Sequence, residues 1–307
     1  MALLLGLGLP VSGTWATPDT LRHVATRADE LGFASLWAFQ RLMHPVDGDM
    51  GAAYHAVHDP LVSLAYAAAV TSRIRLGTAV VMVPYYAPIV LAKALTTLDI
   101  LSAGRLDVGL GLGWASMEFE AVGVSMEKRG ARAEEFVACL KAIWTQPEVE
   151  FHGEFYDVPL SRVDPKPVQA PHPPLLLGGN ADAALRRIGR IADGWISSSR
   201  TDLTTIGASI DIVKSSADEA GRDADALRFV SRGVVRLTVD PTSGDARIPL
   251  QGNADQIRDD IAALAKQGVT EVFLDLNWDP DTVGADVDPS AALDNADRVL
   301  TALAPAG

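Results

Sequence analysis

Leu98 to Gly123 reads LDILSAGRLDVGLGLGWASMEFEAVG. An apolar helical run ends at Ser102 and Ala103, Gly104 turns the chain, and Arg105 opens a strand that runs through Leu106, Val108 and Leu110 into Gly111, Gly113 and Trp114. A helix, a tight turn and a buried strand in that order form one step of an α/β alternation. The alternate glycines Gly109, Gly111 and Gly113 leave one face of the strand end without side chains, so a flat ligand or another backbone can approach there. They are not a dinucleotide fingerprint, because no third glycine follows Gly111 after two residues.

The same alternation extends to both sides. Leu3 to Leu9 is an apolar run ended by Pro10 and Gly13, suited to a fully buried parallel strand. Thr17, Pro18 and Asp19 open a helix whose core face is Leu21, Val24, Ala25, Ala28 and Leu31, and Gly32 stops it before a strand from Phe33 to Phe39. A long polar loop, 40–59, precedes a helix from Pro60 to Thr71. Arg75 to Val83 and Pro88 to Leu101 are the third strand and helix. After the central stretch a helix carries Phe136, Leu140, Ile143 and Trp144 on one stripe. Residues 149–174, aromatic and then Pro-rich, read as a hairpin and an extended insertion.

Strand and helix resume as Leu175 to Leu177, Ala181 to Ile191, Gly194 to Ser198, Asp202 to Ala220 and Arg228 to Val239. Asn253 caps a helix with Ile257, Ile261 and Leu264 on its core face, Gly268 ends it, Thr270 to Leu276 is the eighth strand, and Pro289 to Leu303 the last helix. Eight such pairs predict an α/β fold, a (β/α)8 TIM barrel, as one domain over residues 1–307 with an insertion at about 149–174.

Composition narrows the partner. At 307 residues and 48% hydrophobic content the chain can bury a large core. Its net charge of −13 argues against a nucleic-acid or anionic-membrane surface, though a local basic pocket for a phosphate remains compatible with it. The apolar start Ala2 to Leu9 lacks a positive flank and is too short to span a bilayer. The single cysteine, Cys139, allows no intramolecular disulfide and fits a reducing cytoplasm. A small-molecule substrate is the expected partner.

The central stretch resembles the luciferase-like flavin and deazaflavin oxidoreductases, whose pattern here is LD-x-LS-x-GR, a glycine-alternating strand, then GW-x-x-x-EF-x-A-x-G. Leu98, Asp99, Leu101, Ser102, Gly104, Arg105, Gly113, Trp114, Glu118, Phe119, Ala121 and Gly123 match it. The SLW-x-FQR segment at Ser35 to Arg41 looks most like coenzyme F420-dependent members. The resemblance implies hydride transfer between F420 and an organic substrate. The alternative is an FMN-dependent monooxygenase, which would need O2 and a flavin reductase as partner. Dimers are frequent in the family, so a homodimer is an expectation that the sequence itself neither supports nor excludes.

In a barrel of this kind the site lies at the C-terminal ends of the strands. After the second strand the family often has an acidic residue followed by histidine; this chain has Gln40 and Arg41. Gln40 can hydrogen-bond a ring amide edge, and Arg41 can meet anionic charge on the reduced ring or the substrate. His44 is the nearby candidate for a proton shuttle, with a surface or packing role as the alternative. The resemblance further implies a cis peptide between Ala79 and Val80 against the cofactor ring, and Leu112, Gly113 and Met117 beside it. Trp114 is a pocket wall or a rim aromatic. Glu118 reads as a brace for the following helix.

Gly178, Gly179, Asn180 and Ala181 run into a helix, and free N–H groups at a helix start favour a phosphate. The family places the cofactor phosphate at this turn. Arg186, Arg187 and Arg190 read as solvated or acid-paired, Asp193 as structural, and Ser197 and Ser198 as possible ligand contacts.

Two other classes fare worse. His55 and His58 form H-x-x-H with no paired Glu motif, and metal-dependent barrel hydrolases need a histidine pair where this chain has Gly8, Leu9 and Pro10; no metal is expected. No G-x-S-x-G elbow is present. A non-catalytic flavin-binding relative is the rival suggested by the Gln40 and Arg41 replacement.

Overall fold

Four of the main helices begin with proline, whose missing N–H is harmless in the first turn. Three of those also carry a side-chain cap: Thr17 for α1 (Pro18–Glu30), Asp59 for α2 (Pro60–Val70) and Asp288 for α9 (Pro289–Ala302). The fourth is α3 (Pro88–Leu101). The computed structural model describes residues 3–48, 50–244 and 247–305. Residues 1–2, 49, 245–246 and 306–307 lie outside the described residues, and of these residue 2 falls in the expected apolar start and residue 49 in the 40–59 loop.

Eight strands form the barrel: β1 (Leu4–Gly8), β2 (Ser35–Ala38), β3 (Arg75–Thr78), β4 (Leu106–Gly111), β5 (Leu175–Gly178), β6 (Gly194–Ile196), β7 (Arg228–Val234) and β8 (Glu271–Asp275). All pair in parallel in the order β3-β2-β1-β8-β7-β6-β5-β4, and pairing of Leu76 with Leu106 and Gly77 with Asp107 closes β3 onto β4. The predicted TIM barrel is therefore present. Around it run α4 (Ser116–Ala121), α5 (Arg129–Thr145), α6 (Asp182–Ile191), α7 (Ile206–Glu219) and α8 (Ala254–Lys266). On α5, Phe136, Leu140, Ile143 and Trp144 are all buried, as their spacing predicts. Asn253 and Gln256 make a reciprocal capping box on α8. Residues 149–152 and 157–161 pair as an antiparallel hairpin within the insertion.

The structure shortens some expected elements. The third strand breaks after Thr78 and resumes as a two-residue bridge, Val81–Met82, on β4. β6 ends at Ile196, and α7 starts at Ile206 rather than at Asp202, leaving 197–205 as a loop over the barrel mouth. No helix among the described residues is long and apolar enough to cross a membrane.

The alternate glycines of β4 are explained by close packing. A Cβ on Gly109 would lie 1.9 Å from the Thr78 carbonyl oxygen, and one on Gly111 2.4 Å from a Val80 methyl. So it is the Thr78 backbone and the Val80 side chain, more than a ligand, that need the bare face there. Thr78 Oγ1 completes the contact, accepting from Gly109 N at 2.8 Å and donating to Gly109 O at 2.7 Å.

The barrel interior has two layers. Trp37, Leu176, Ile196, Val230 and Phe273 form an apolar layer, with Ala79 and Val80 against it. Towards the N-terminal strand ends, fully buried Asp107 is held by Arg75 and Arg228, each at 2.7 Å, and Arg228 also bonds Glu271 at 2.9 Å. Glu271 accepts in turn from the Trp37 indole at 2.8 Å and from Ser35.

Candidate active site

A cavity of about 820 Å³ opens at the C-terminal ends of β2 to β7. That volume suits a cofactor-sized ligand. The chain bends into it where each strand stops. Gln40, Arg41, Ala79, Val80, Leu112, Gly113, Gly178, Gly179, Asn180 and Ala181, all singled out from the sequence, line it together.

His44 and Met117 do not reach this lining. The His44 ring is occupied within its own loop, Nδ1 donating to the Pro45 carbonyl at 2.9 Å and Nε2 accepting from Met50 N at 3.4 Å. Both nitrogens are thus engaged locally, and the ring packs on His55 with centroids 4.5 Å apart. Met117 sits on α4, which presents its neighbour Glu118 inward instead.

Glu118 is more than a brace. Its carboxylate accepts from Leu42 N at 2.7 Å and from the Tyr85 hydroxyl at 2.8 Å, and lies 3.1 Å from Arg41 Nη1. Both charged side chains are buried, at 3% and 2% exposure. The Arg41 guanidinium lies over the rings of both Tyr54 and Trp114, 4.6 Å from each centroid. Its Nε and Nη1 have no hydrogen-bond partner among the described residues. Burial, reinforced by the hydrogen bond to Glu118, pushes the Tyr85 hydroxyl well above the ordinary phenol range, so it stays a proton donor to Glu118.

Gln40 has both ends engaged. Its amide oxygen accepts from Met82 N at 2.8 Å and its nitrogen donates to the Tyr86 hydroxyl at 2.6 Å. It therefore fixes the backbone just beyond Ala79 and Val80. The peptide between those two residues is cis, as the resemblance implied.

At the far end, α6 starts without a side-chain cap on Ala181, which leaves its first N–H groups available beside the cavity. Gly179 has φ +154°, and a Cβ there would fall 2.7 Å from that of Ala184. Asn180 is tied to Ser198, Nδ2 to Oγ, at 2.9 Å. Arg187 and Arg190 pair with Glu134 at 2.9 Å each, the acid-paired reading, although Arg187 also faces the cavity. Asp193 accepts from Leu175 N at 2.9 Å and is structural as expected. Trp114 is a cavity wall, half-exposed, with the Arg200 guanidinium 5.6 Å from its ring centroid.

Arg232, inside β7, is not among the residues the sequence points to. It lines the cavity floor, donates through Nη2 to the Ala79 carbonyl, and lies 3.5 Å from Asp275. With it the lining holds six basic side chains, Arg41, Lys128, Arg129, Arg187, Arg200 and Arg232, and no acidic one among the described residues.

Fold and site together are those of a (β/α)8 barrel with a cofactor-sized, basic-lined cavity at the C-terminal ends of its strands. The chain belongs to the luciferase-like monooxygenase family, whose pattern it matches over residues 5–247. An uncharacterized protein of Mycobacterium tuberculosis is 38% identical over 234 residues, 75% of this chain and 74% of that one. An F420-dependent glucose-6-phosphate dehydrogenase of Kineococcus radiotolerans is 36% identical over 202 residues, covering 64% and 57%. An FMNH2-dependent dimethylsulfone monooxygenase of Pseudomonas putida is 35% identical over 156 residues, covering 50% and 42%. The crystal structure of the monooxygenase RslO1 from Streptomyces bottropensis shares the fold, with TM-score 0.81, 24% identity and 98% coverage of both chains.

Proposed function

We propose that the protein is an oxidoreductase that transfers a hydride between coenzyme F420 and a small organic substrate. The observation that carries this reading is the basic lining of the cavity: six basic and no acidic residues in a chain with 39 acidic and 26 basic ones, and although Arg41, Lys128, Arg187 and Arg232 have acids behind them, Arg129 and Arg200 are in no ion pair among the described residues. One helix N-terminus is enough for the single phosphate of FMN. A wider set of cations suits the phosphodiester and carboxylate tail of F420 better.

In this reading Gly178, Gly179, Asn180 and Ala181 take the phosphate, and Ala79, Val80, Leu112 and Gly113 face the ring. Gln40 positions the Ala79 to Met82 backbone. Arg41, its charge balanced by Glu118, meets negative charge at the reacting end. Bound there, the deazaflavin supplies the hydride chemistry, and the protein supplies orientation and electrostatics. Arg41 acts in this scheme as an electrostatic group. His44 has no part in this scheme.

The FMN reading draws on the Pseudomonas relative and on the same cavity. A parallel fluorescence titration of the apoprotein with F420 and FMN separates the two. Preferential binding of F420 is expected; preference for FMN would move the protein to oxygen-dependent chemistry, and binding of neither would overturn the cofactor reading. For the expected homodimer we propose the face of α2 and α3, where Val62, Val90 and Leu101 are 71%, 60% and 65% exposed. Sedimentation of a Val90→Glu variant as a monomer, against a wild-type dimer, is the corresponding test.

A further inference from the structure

Arg232 and Asp275 are a buried ion pair that the stability of the barrel does not call for. The guanidinium is surrounded by the rings of Trp278, Phe273 and Phe39, at 4.4, 5.3 and 5.5 Å. An apolar side chain would fill such a place, and replacing a buried pair by apolar groups is often neutral or stabilising.

The pair is also imperfectly matched. Its closest approach is 3.5 Å, and Arg232 Nε has no hydrogen-bond partner among the described residues. Asp275 instead accepts from Asn277 N at 3.0 Å and Asn277 Nδ2 at 2.8 Å. Arg232 lines the cavity and Asp275 does not, so the positive end of the pair is the one turned to the ligand. Ser197 Oγ accepts from Arg232 N at 3.0 Å and fixes the strand at that point.

We infer that Arg232 compensates the negative charge a flavin or deazaflavin ring gains on reduction, so that the cavity holds the reduced cofactor more tightly than the oxidised one. This rests on the cofactor reading above. A hydride is one proton with two electrons: its bond to a substrate carbon breaks, a bond to the ring forms, the substrate carbon is oxidised as the O–H or N–H beside it releases its proton to solvent, and the ring is reduced and takes one negative charge. A cation in a low-dielectric floor acts on that added charge with little screening. Asp275 behind it offsets part of the effect.

The experiment compares dissociation constants for oxidised and chemically reduced cofactor, F420 and FMN, under argon. The ratio of the oxidised to the reduced constant is the readout, taken with whichever cofactor the wild type binds. Arg232→Lys keeps the charge and is expected to keep a ratio above one. Asp275→Asn removes the offsetting carboxylate and is expected to raise the ratio. The double variant Arg232→Gln/Asp275→Asn removes both charges, leaves an amide to bond Ala79, and is expected to lower the ratio about tenfold, equivalent to about 30 mV for a two-electron couple.

Equal weakening of both forms in the double variant would overturn the inference and leave Arg232 a support for Ala79. An unchanged or lowered ratio in Asp275→Asn would do the same, and that variant keeps the question open to refutation if the double variant does not fold. Binding of neither cofactor by the wild type removes the cofactor reading itself, an outcome distinct from an unresponsive ratio.

Discussion

Glu118→Gln isolates one charge at the centre of the candidate site. The substitution preserves size, but Arg41 is left buried without its counter-ion, a change that costs about 3–5 kcal/mol when one partner of a buried pair is removed. The new amide has only one acceptor oxygen for two donors, Leu42 N–H and the Tyr85 hydroxyl. The hydroxyl can rotate and accept from the amide nitrogen, so this loss stays small. The Tyr54 and Trp114 rings contact the guanidinium in both forms, so they leave the difference unchanged. The lower end of the range, about 3 kcal/mol, lowers the melting temperature of a chain of this size by about 6 °C. Calorimetry on Glu118→Gln, Arg41→Met and the double variant gives the cycle. The double variant should recover about 2 kcal/mol relative to the sum of the singles, because it no longer buries a lone charge. A Glu118→Gln variant within about 0.5 kcal/mol of wild type, or additive singles, would refute the claim that the two residues act as one unit.

Three other outcomes test other parts of the structure. Gly179→Ala places a methyl against Ala184 at a positive φ, and should weaken cofactor binding about tenfold in the titration while leaving the far-UV circular dichroism intact. Asn253→Ala removes the capping box of α8 and should cost about 1 kcal/mol, read as a fall of about 2 °C in the melting temperature. Burial pushes the Asp107 carboxyl up, but Arg75 and Arg228 more than offset this and hold it below the usual range. Its stabilising contribution is therefore present above about pH 4 and lost as the pH falls through the lower folded value, so the acid limb of a stability profile should be shallower in Asp107→Asn than in wild type.

The parts of the molecule legible in the sequence are those set by local chemistry. Proline and cap residues mark helix starts, the 3.6-residue stripe of Phe136, Leu140, Ile143 and Trp144 marks a buried face, and Gly178 and Gly179 before a helix mark a turn that lines the cavity. Glu118 shows where this stops. A carboxylate in the first turn of a helix is favoured by the dipole alone, so its position cannot reveal that it also binds Leu42, Tyr85 and Arg41 from other elements. His44 shows the same limit from the other side, since its ring is hydrogen-bonded by Pro45 and Met50 and a loop sequence does not forecast such partners.

Arg232 is the instructive case. Barrel strands are buried on both faces, so alternation alone does not say which residues enter the interior. Two arginines four residues apart in one such strand, Arg228 and Arg232, nevertheless need buried partners, because an unpaired interior charge is too costly. The neighbouring strand carries Glu271 and Asp275 at the same spacing, and Val230 and Phe273 at the midpoints. Arg228 meets Glu271 at 2.9 Å, Arg232 approaches Asp275 at 3.5 Å, and the two apolar residues join the interior layer between them. The matched spacing of opposite charges on adjacent strands was thus a readable signal for both pairs. What it could not give is the difference between them: the first pair is hydrogen-bonded within the barrel, while the second leaves its cation facing the cavity.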